Sequence, residues 1–153
     1  MVFTRRYRDL GTTIDGLYRD IRRELQQNKD LSITSERKGE VKGIPFMSIT
    51  ASRATLPRVL TGTLREVTIT MTGTPDDWLI EVHTGAWFAN MMIPSAGGLL
   101  LAGPVGATVG AGATAVFARV YARKLKDRIK ELVKKHSIAD YHDNNVETYI
   151  ELI

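Results

Sequence analysis

Strict alternation of apolar and polar side chains between residues 65 and 72 is the clearest pattern in the chain. Val67, Ile69 and Met71 are separated by polar residues, and this period of two predicts a β-strand with one buried face. The same reasoning predicts three further strands, over residues 31–36, 41–51 and 78–84, with a turn at Gly39 and Glu40 between the first two. Because the connections around the clearest strand are short, the four strands are predicted to form an antiparallel meander.

Two other segments have the spacing of an amphipathic helix. Residues 14–25 and 122–136 carry apolar side chains at intervals of three and four, which places them on one helix face. The predicted helices cover residues 15–27 and the stretch from Pro104 to Lys135. The expected fold is therefore α+β: an N-terminal helix, a four-stranded antiparallel meander and a long C-terminal helix, in a two-layer, helix-grip-like arrangement.

The length of 153 residues predicts one domain. Residues 1–136 are assigned to this α+β domain, and residues 137–153 to a loosely held acidic tail that its last apolar residues could dock. The polar strand faces, which carry Glu66 and Glu81, are expected to meet solvent. Paired-carboxylate catalysis therefore has no support from the sequence.

The segment 86–118 contains no charged side chain in 33 positions. Small residues recur in it at intervals of four, and the predicted helix-packing set is Ala102, Gly106, Gly110, Thr114 and Ala118. Such a stripe lets a second backbone approach closely. Since each glycine costs a water-exposed helix up to ~1 kcal/mol, the stripe is expected to pack against protein or lipid.

Several neighbours fit this segment at the level of sequence, and burial in a soluble fold or oligomer is favoured over membrane insertion and over a ligand cavity. About 20 apolar residues span a bilayer, but the segment is rich in glycine, alanine and threonine, and its drive to insert is modest. Burial within the fold, pairing with a second copy in a homo-oligomer, and lining a ligand cavity are the other interpretations. The predicted partners are thus a second copy of the chain and an anionic membrane or lipid.

The net charge of +4 conceals a strong segregation of charge. Residues 119–135 hold eight basic and two acidic side chains, whereas residues 136–153 hold no Lys or Arg and four acidic side chains. The predicted basic surface consists of Arg119, Arg123, Lys124, Lys126, Lys130 and Lys134. A basic surface can bind anionic lipid, nucleic acid or an acidic protein, or can simply be solvated. Nucleic acid is the less favoured partner, because stacking aromatic residues are few and scattered.

Motifs of known catalytic classes do not occur in the chain. It has no phosphate loop, dinucleotide fingerprint, nucleophile elbow or metalloprotease helix. With no cysteine, thiolate catalysis and cysteine-based metal sites are excluded, and a reducing compartment is favoured. We therefore expect a protein without catalytic residues, cofactor or metal, located in the cytoplasm or at the inner face of the membrane.

One resemblance adds to this interpretation. The motif Leu64-Arg65-Glu66-Val67-Thr68-Ile69 and the strand end Gly85-Ala86-Trp87 lead into the apolar run and then the basic helix. Over about residues 60–135, this order resembles a group of uncharacterised small prokaryotic α+β proteins that have a glycine-rich apolar segment before a basic C-terminal helix. The resemblance implies no catalytic residues. The long helix across an antiparallel sheet is also similar to helix-grip folds, which enclose an apolar ligand.

Three functions follow as hypotheses. The first is a non-enzymatic interaction module that uses the glycine-rich helix and the adjoining basic helix for self-association or membrane docking. The second is a carrier of a small apolar ligand or lipid in a cavity between sheet and helix, with walls formed by Trp78, Ile80, Val82 and Trp87. The third is nucleic-acid binding through phosphate contacts of the basic helix.

Overall fold

A computed structural model describes residues 2–29, 31–52, 66–84 and 116–152. These residues form one antiparallel six-stranded sheet and two α-helices, so the fold is α+β. The strands are β1 Val2–Arg8, β2 Ser32–Val41, β3 Ile44–Ser52, β4 Glu66–Thr74, β5 Asp77–Thr84 and β6 Val146–Leu152. The helices are α1 Ile14–Gln27 and α2 Val116–His136, and a single 3₁₀ turn, Asp143–Asn145, precedes β6.

The sheet extends beyond the predicted four-stranded meander. Its strand order is β2-β3-β4-β5-β1-β6, and every neighbouring pair is antiparallel. The strands β2 to β5 form a meander, and β1 continues it beside β5. The prediction of four strands was wrong, because the first and last strands of the chain complete the sheet.

The predicted fold began with a helix and assigned no element to the residues before it. In the structure β1 precedes α1, with Phe3 opposite Val82 and Tyr7 opposite Trp78 on β5. Three arginines interrupt the apolar pattern of this strand, and all three form ion pairs with distant carboxylates. Arg6 donates to both carboxylate oxygens of Asp77, at 2.7 and 2.6 Å.

Residues 137–153 were expected to form a loosely held tail, but part of this segment also belongs to the sheet. Within it, Val146–Leu152 forms β6, an edge strand that pairs with β1 from Val2 to Tyr7. Glu147 on this strand forms an ion pair with Arg8 at 3.2 Å. Glu147 and Glu151 therefore lie beside Arg8 and Arg5 of β1, so ion pairs join the first and last strands of the chain.

The turn between β2 and β3 also lies away from its predicted position. Gly39 and Glu40 were expected to form it, but both pair within the sheet, opposite Phe46 and Pro45. Lys42 and Gly43 form the turn instead, with φ of 50° and 78°. Two consecutive positive φ angles match the twist of a tight hairpin, and glycine adopts the second without strain.

Both helices lie on one face of the sheet, which we call the apolar face. Buried side chains of β3, β4 and β5 on this face pack against Leu17, Ile21 and Leu25 of α1 and Leu125 and Ile129 of α2 in one hydrophobic core. The strand residues of the core are Ile49, Ala51, Val67, Ile69, Met71, Trp78, Ile80 and Val82. The end of α2 is fixed to the start of α1, because the Thr13 amide donates to the His136 carbonyl at 2.8 Å.

Candidate functional site

The predicted basic surface lies on α2, opposite the buried side of this helix. Arg123, Lys124, Lys130 and Lys134 are exposed, and Lys126 is half-buried. Arg119 is in the first turns of α2, where only the backbone is described. The structure therefore brings the described members of the set onto one helix, whose other side packs on the sheet through Ala122, Leu125, Ile129, Leu132 and Val133.

The side of α2 that faces α1 is neutralised by ion pairs. Arg128 donates to Glu24 at 3.0 Å and to Glu131 at 2.9 Å. Asp20 of α1 accepts from Lys135 at 2.7 Å and contacts the His136 ring nitrogen at 2.9 Å. These hydrogen bonds lower the pKa of Asp20 far below its usual range. The charges on this side of the helix hold the two helices together.

The other side of α2 keeps three basic side chains without a carboxylate partner among the described residues: Arg123, Lys130 and Lys134, which we call the basic stripe. At 3.6 residues per turn, these positions fall within roughly 40° of one another around the helix axis. The Lys130 and Lys134 ammonium groups lie 5.5 and 5.3 Å from the centre of the Tyr141 ring. The ring attracts both cations without neutralising them.

Two other members of the predicted basic set differ from the stripe. Lys126 forms an ion pair with Glu151 of β6, and Glu151 also accepts from Arg5 at 3.2 Å. Both hydrogen bonds lower the pKa of Glu151, and the bond from Lys126 has the larger effect. Lys124 lies about 100° around the helix from Arg123. Lys126 is thus part of the contact between α2 and the sheet. Lys124 points to another side of the helix than the stripe, so within the described chain the stripe is the group of unpaired cations that lies together on one side.

The predicted helix-packing set falls mostly outside the described residues. Ala102, Gly106, Gly110 and Thr114 lie there, and Ala118 belongs to α2 with only its backbone described. The part of the predicted long helix between Pro104 and residue 115 also lies outside the described residues. The close packing of this stripe against another backbone stays a prediction.

Three of the four residues predicted to line a ligand cavity lie in the core between sheet and helices. Trp78, Ile80 and Val82 are fully buried on the apolar face, and Trp78 stacks on Tyr7 with ring centres 4.5 Å apart. Trp87 lies outside the described residues. The role of these side chains in binding an apolar ligand stays a prediction.

The opposite face of the sheet holds a feature that the sequence did not reveal. This face, which we call the hydroxyl face, was expected to meet solvent, but its central residues are buried although both helices lie on the apolar face. Two rows of hydroxyls are paired across it: Ser48 with Thr70 and Thr50 with Thr68, each at 3.0 Å. Its buried polar residues are Thr4, Ser48, Thr50, Thr68, Thr70, Thr72, Glu81 and His83.

Glu81 lies at the centre of the hydroxyl face. It stands between Thr4 of β1 and Thr70 of β4 in register, and its side chain is 1% exposed. One carboxylate oxygen, Oε2, makes no hydrogen bond within the described chain, and neither does the Thr4 hydroxyl. The other oxygen, Oε1, lies 3.8 Å from the His83 ring nitrogen. The expectation that Glu81 is exposed was therefore wrong.

The described residues contain no group of three or more His, Cys, Asp or Glu side chains that could hold a metal ion. Over the same ranges, neither helix combines the length and apolarity that crossing a membrane requires. Comparison of the chain with protein-family models, curated proteins and solved structures gives no match. No enzyme family is therefore indicated, and inferences about function rest on the geometry of α2 and of the sheet.

Proposed function

We propose that the protein is an interaction module that docks on an anionic membrane surface through the basic stripe of α2. The observation that carries this proposal is the asymmetry of the helix. Arg128 and Lys135 on its α1 side have carboxylate partners, whereas Arg123, Lys130 and Lys134 have none among the described residues. A stripe of unpaired cations on a helix that is itself fixed to a rigid sheet presents its charges together to a planar anionic surface.

The sequence before α2 adds to this proposal. The charge-free segment 86–118 runs directly into the helix that bears the stripe. Apolar residues next to a group of cations are the two parts from which a reversible membrane contact is built, since each adds affinity that the other lacks. Near an anionic leaflet, each Lys or Arg contributes about 1 kcal/mol.

Vesicle sedimentation with the full chain tests the proposal. We expect binding to vesicles that contain phosphatidylserine, no binding to phosphatidylcholine alone, and release as salt is raised. The double variant Lys130→Gln, Lys134→Gln should weaken binding by about 2 kcal/mol, roughly thirtyfold.

The matched control for this variant is Lys29→Gln, Lys42→Gln, which removes two exposed lysines elsewhere. If both double variants lose affinity equally, the net charge and not the stripe is responsible. If neither loses affinity, or if phosphatidylcholine vesicles bind as well, docking through the stripe is wrong.

Self-association through the small-residue set from Ala102 to Ala118 is the other form of this function. It rests on the spacing of those residues in the sequence. The variant Gly106→Leu, Gly110→Leu should reduce the oligomer size measured by analytical ultracentrifugation, and an unchanged size would contradict a small-residue seam.

A further inference from the structure

Leu79 is a large apolar side chain on the hydroxyl face of the sheet. It alternates along β5 with Trp78 and Ile80 of the apolar face, and its register partners are Thr72 and Arg6. Leu79 is nevertheless 0% exposed, although it does not belong to the hydrophobic core beneath the helices. Because a single chain buries this side chain, other residues of the same molecule must cover it.

Burial on the hydroxyl face extends over four neighbouring strands. The buried residues lie on β3, β4, β5 and β1, whereas the described side chains of the outer strands β2 and β6 are half-buried or exposed. At about 4.8 Å between strands, the covered area is roughly 19 Å wide, which is about the width of two helices side by side. Both described helices lie on the apolar face, so the cover comes from residues outside the described ranges.

Two internal segments longer than one residue lie outside those ranges, at 53–65 and 85–115. The first joins β3 to β4 and carries Arg53, Arg58 and Arg65, whereas the second is longer and contains no charged side chain. A cover over Leu79 and over hydroxyls that already bond to each other needs apolar groups, and burial of arginine there would be costly. The composition therefore favours residues 85–115.

The elements on either side of residues 85–115 meet at one end of the fold. The last residue of α2 bonds to Thr13, beside the β4–β5 turn, where Thr12 donates to the Pro75 carbonyl. The helix is about 31 Å long, so its first residue, Val116, lies toward the opposite end of the sheet. The strand β5 ends there at Thr84. A direct connection needs only a few residues, and most of the 31 in this segment remain to cross a face and return.

From these observations we propose that residues 85–115 cross the hydroxyl face in two passes and bury it within the same molecule. In helical geometry each pass reaches about 23 Å, which exceeds the roughly 14 Å between Thr68 and Thr72 along β4. Small residues such as Gly106 and Gly110 let a backbone come close to a surface of short serine and threonine side chains. The proposal is independent of membrane docking, because α2 lies on the other face, and failed vesicle binding would leave it standing.

Thiol reactivity tests the cover directly, because the chain has no cysteine of its own. In Thr70→Cys the thiol replaces a hydroxyl at the centre of the face. We expect N-ethylmaleimide to modify it at least about a hundredfold more slowly than in Glu40→Cys, at an exposed position of β2. Equal rates would show an open face and overturn the proposal. Protection that disappears on dilution would identify a second copy as the cover and would also overturn it.

Larger side chains in the segment identify which residues form the cover. In the Thr70→Cys background, Gly106→Leu with Gly110→Leu should hold the segment away from the sheet and raise the modification rate at least about tenfold. The matched control is Gly112→Leu, about 200° around a helix from Gly110, which should change the rate little. An unchanged rate in the double variant contradicts the proposal, and if its oligomer size falls instead, the small residues pack against a second copy.

Photocrosslinking keeps the test decisive if Thr70→Cys folds poorly. Arg37 is exposed and pairs with Ser48, so a benzophenone maleimide on Arg37→Cys lies at the rim of the hydroxyl face. The adjacent Lys38→Cys is the control, because the Lys38 ammonium lies 5.0 Å from the Tyr18 ring of α1 on the other face. Mass spectrometry should find residues 85–115 attached to the first label and α1 to the second. Attachment of the first label to residues 53–65, or to a second molecule, would overturn the proposal.

Discussion

The apolar face of the sheet carries Ile49, Ile69 and Ile80, whereas the hydroxyl face carries Ser48, Thr70 and Glu81 on the same three strands. All six are buried, yet burial has different requirements on the two faces. Apolar side chains need only close neighbours, since the hydrophobic effect is not directional. Hydroxyls and carboxylates need a partner at the correct distance and angle. The apolar face therefore stabilises the fold through close packing, whereas the hydroxyl face is stable only where its polar groups have hydrogen-bonding partners.

The largest expected difference between the faces comes from Trp78. Replacement by alanine removes the ring that stacks on Tyr7 at 4.5 Å and leaves a large hole beneath the helices. Trp78→Ala should lower the free energy of unfolding by about 3–5 kcal/mol, measured by urea denaturation. A loss below about 1 kcal/mol would mean that the apolar face does not carry the stability assigned to it.

Gly73 tests how tightly the apolar face is closed at its hairpin end. This residue pairs with Trp78, has φ of 125°, and an added Cβ would lie 2.7 Å from the Trp78 Cα. Gly73→Ala should cost about 1–3 kcal/mol, through both backbone strain and crowding.

The matched control for this change is Gly43→Ala, where φ is also positive but nothing lies within 4 Å of the added carbon. Only backbone strain applies there, so the loss should be smaller. A loss at Gly43 as large as that at Gly73 would show that crowding against Trp78 contributes nothing.

Within the hydroxyl face, two threonines should respond with opposite sign. Thr70 bonds to Ser48 at 3.0 Å, so Thr70→Val breaks a buried hydrogen bond and should cost about 1 kcal/mol. The Thr72 hydroxyl has no partner among the described residues, so Thr72→Val should be neutral or stabilising by less than about 1 kcal/mol. If thermal denaturation gives equal losses for both, a hydrogen bond is not what distinguishes them.

Acid titration of stability should also separate the faces. The bonds from Lys135 and His136 lower the pKa of Asp20 in the helix layer, so its stabilisation is present above its ordinary pKa of about 3.9 and fades as the pH falls below that value. Burial raises the pKa of Glu66, so its ionisation weakens the fold at neutral pH, and this effect disappears as the pH falls towards about 4.3.

At pH 7, Asp20→Asn should therefore lower stability and Glu66→Gln should raise it. Both differences should shrink at about pH 3, and denaturant midpoints across the pH series measure them. Shifts of the same sign at pH 7 would contradict the contrast between a paired and an unpaired carboxylate.

Much of the meander follows from local patterns in the chain. The alternation of Val67, Ile69 and Met71 is visible because polar residues separate them without exception, and all three are buried in β4. The prediction of the α+β class rests on such segments. The exact position of the β2–β3 turn does not follow from local patterns. Gly39 and Gly43 are both suitable turn residues, and only the pairing with β3 decides between them.

The outer strands could not be found in this way. In β1, the arginines conceal the period of two, and their partners Asp77 and Glu151 lie 71 and 146 residues away. The acidic residues of β6 have the appearance of a solvated tail until they are placed beside β1. Long-range ion pairs of this kind leave no signal in a local window.

The candidate sites show the same division. The basic character of α2 is plain from the sequence, but which of its basic residues remain unpaired depends on Glu24, Asp20 and Glu151, which reach α2 from other elements. The alternation of β5 correctly puts Glu81 on the polar face. Whether that face is exposed is a property of the whole fold, and no local rule supplies it.

The position of β1 has a consequence for how the chain folds. Its neighbours are β5, which begins at Asp77, and β6, which ends at Leu152, so neither is close to it in sequence. The hairpins β2–β3 and β4–β5 close short loops and are expected to form early, since loop closure costs less entropy there. β1 can join the sheet only after β5 exists, and it remains an edge until β6 pairs with it. The slow step of folding should therefore be the capture of β1 between its two distant neighbours.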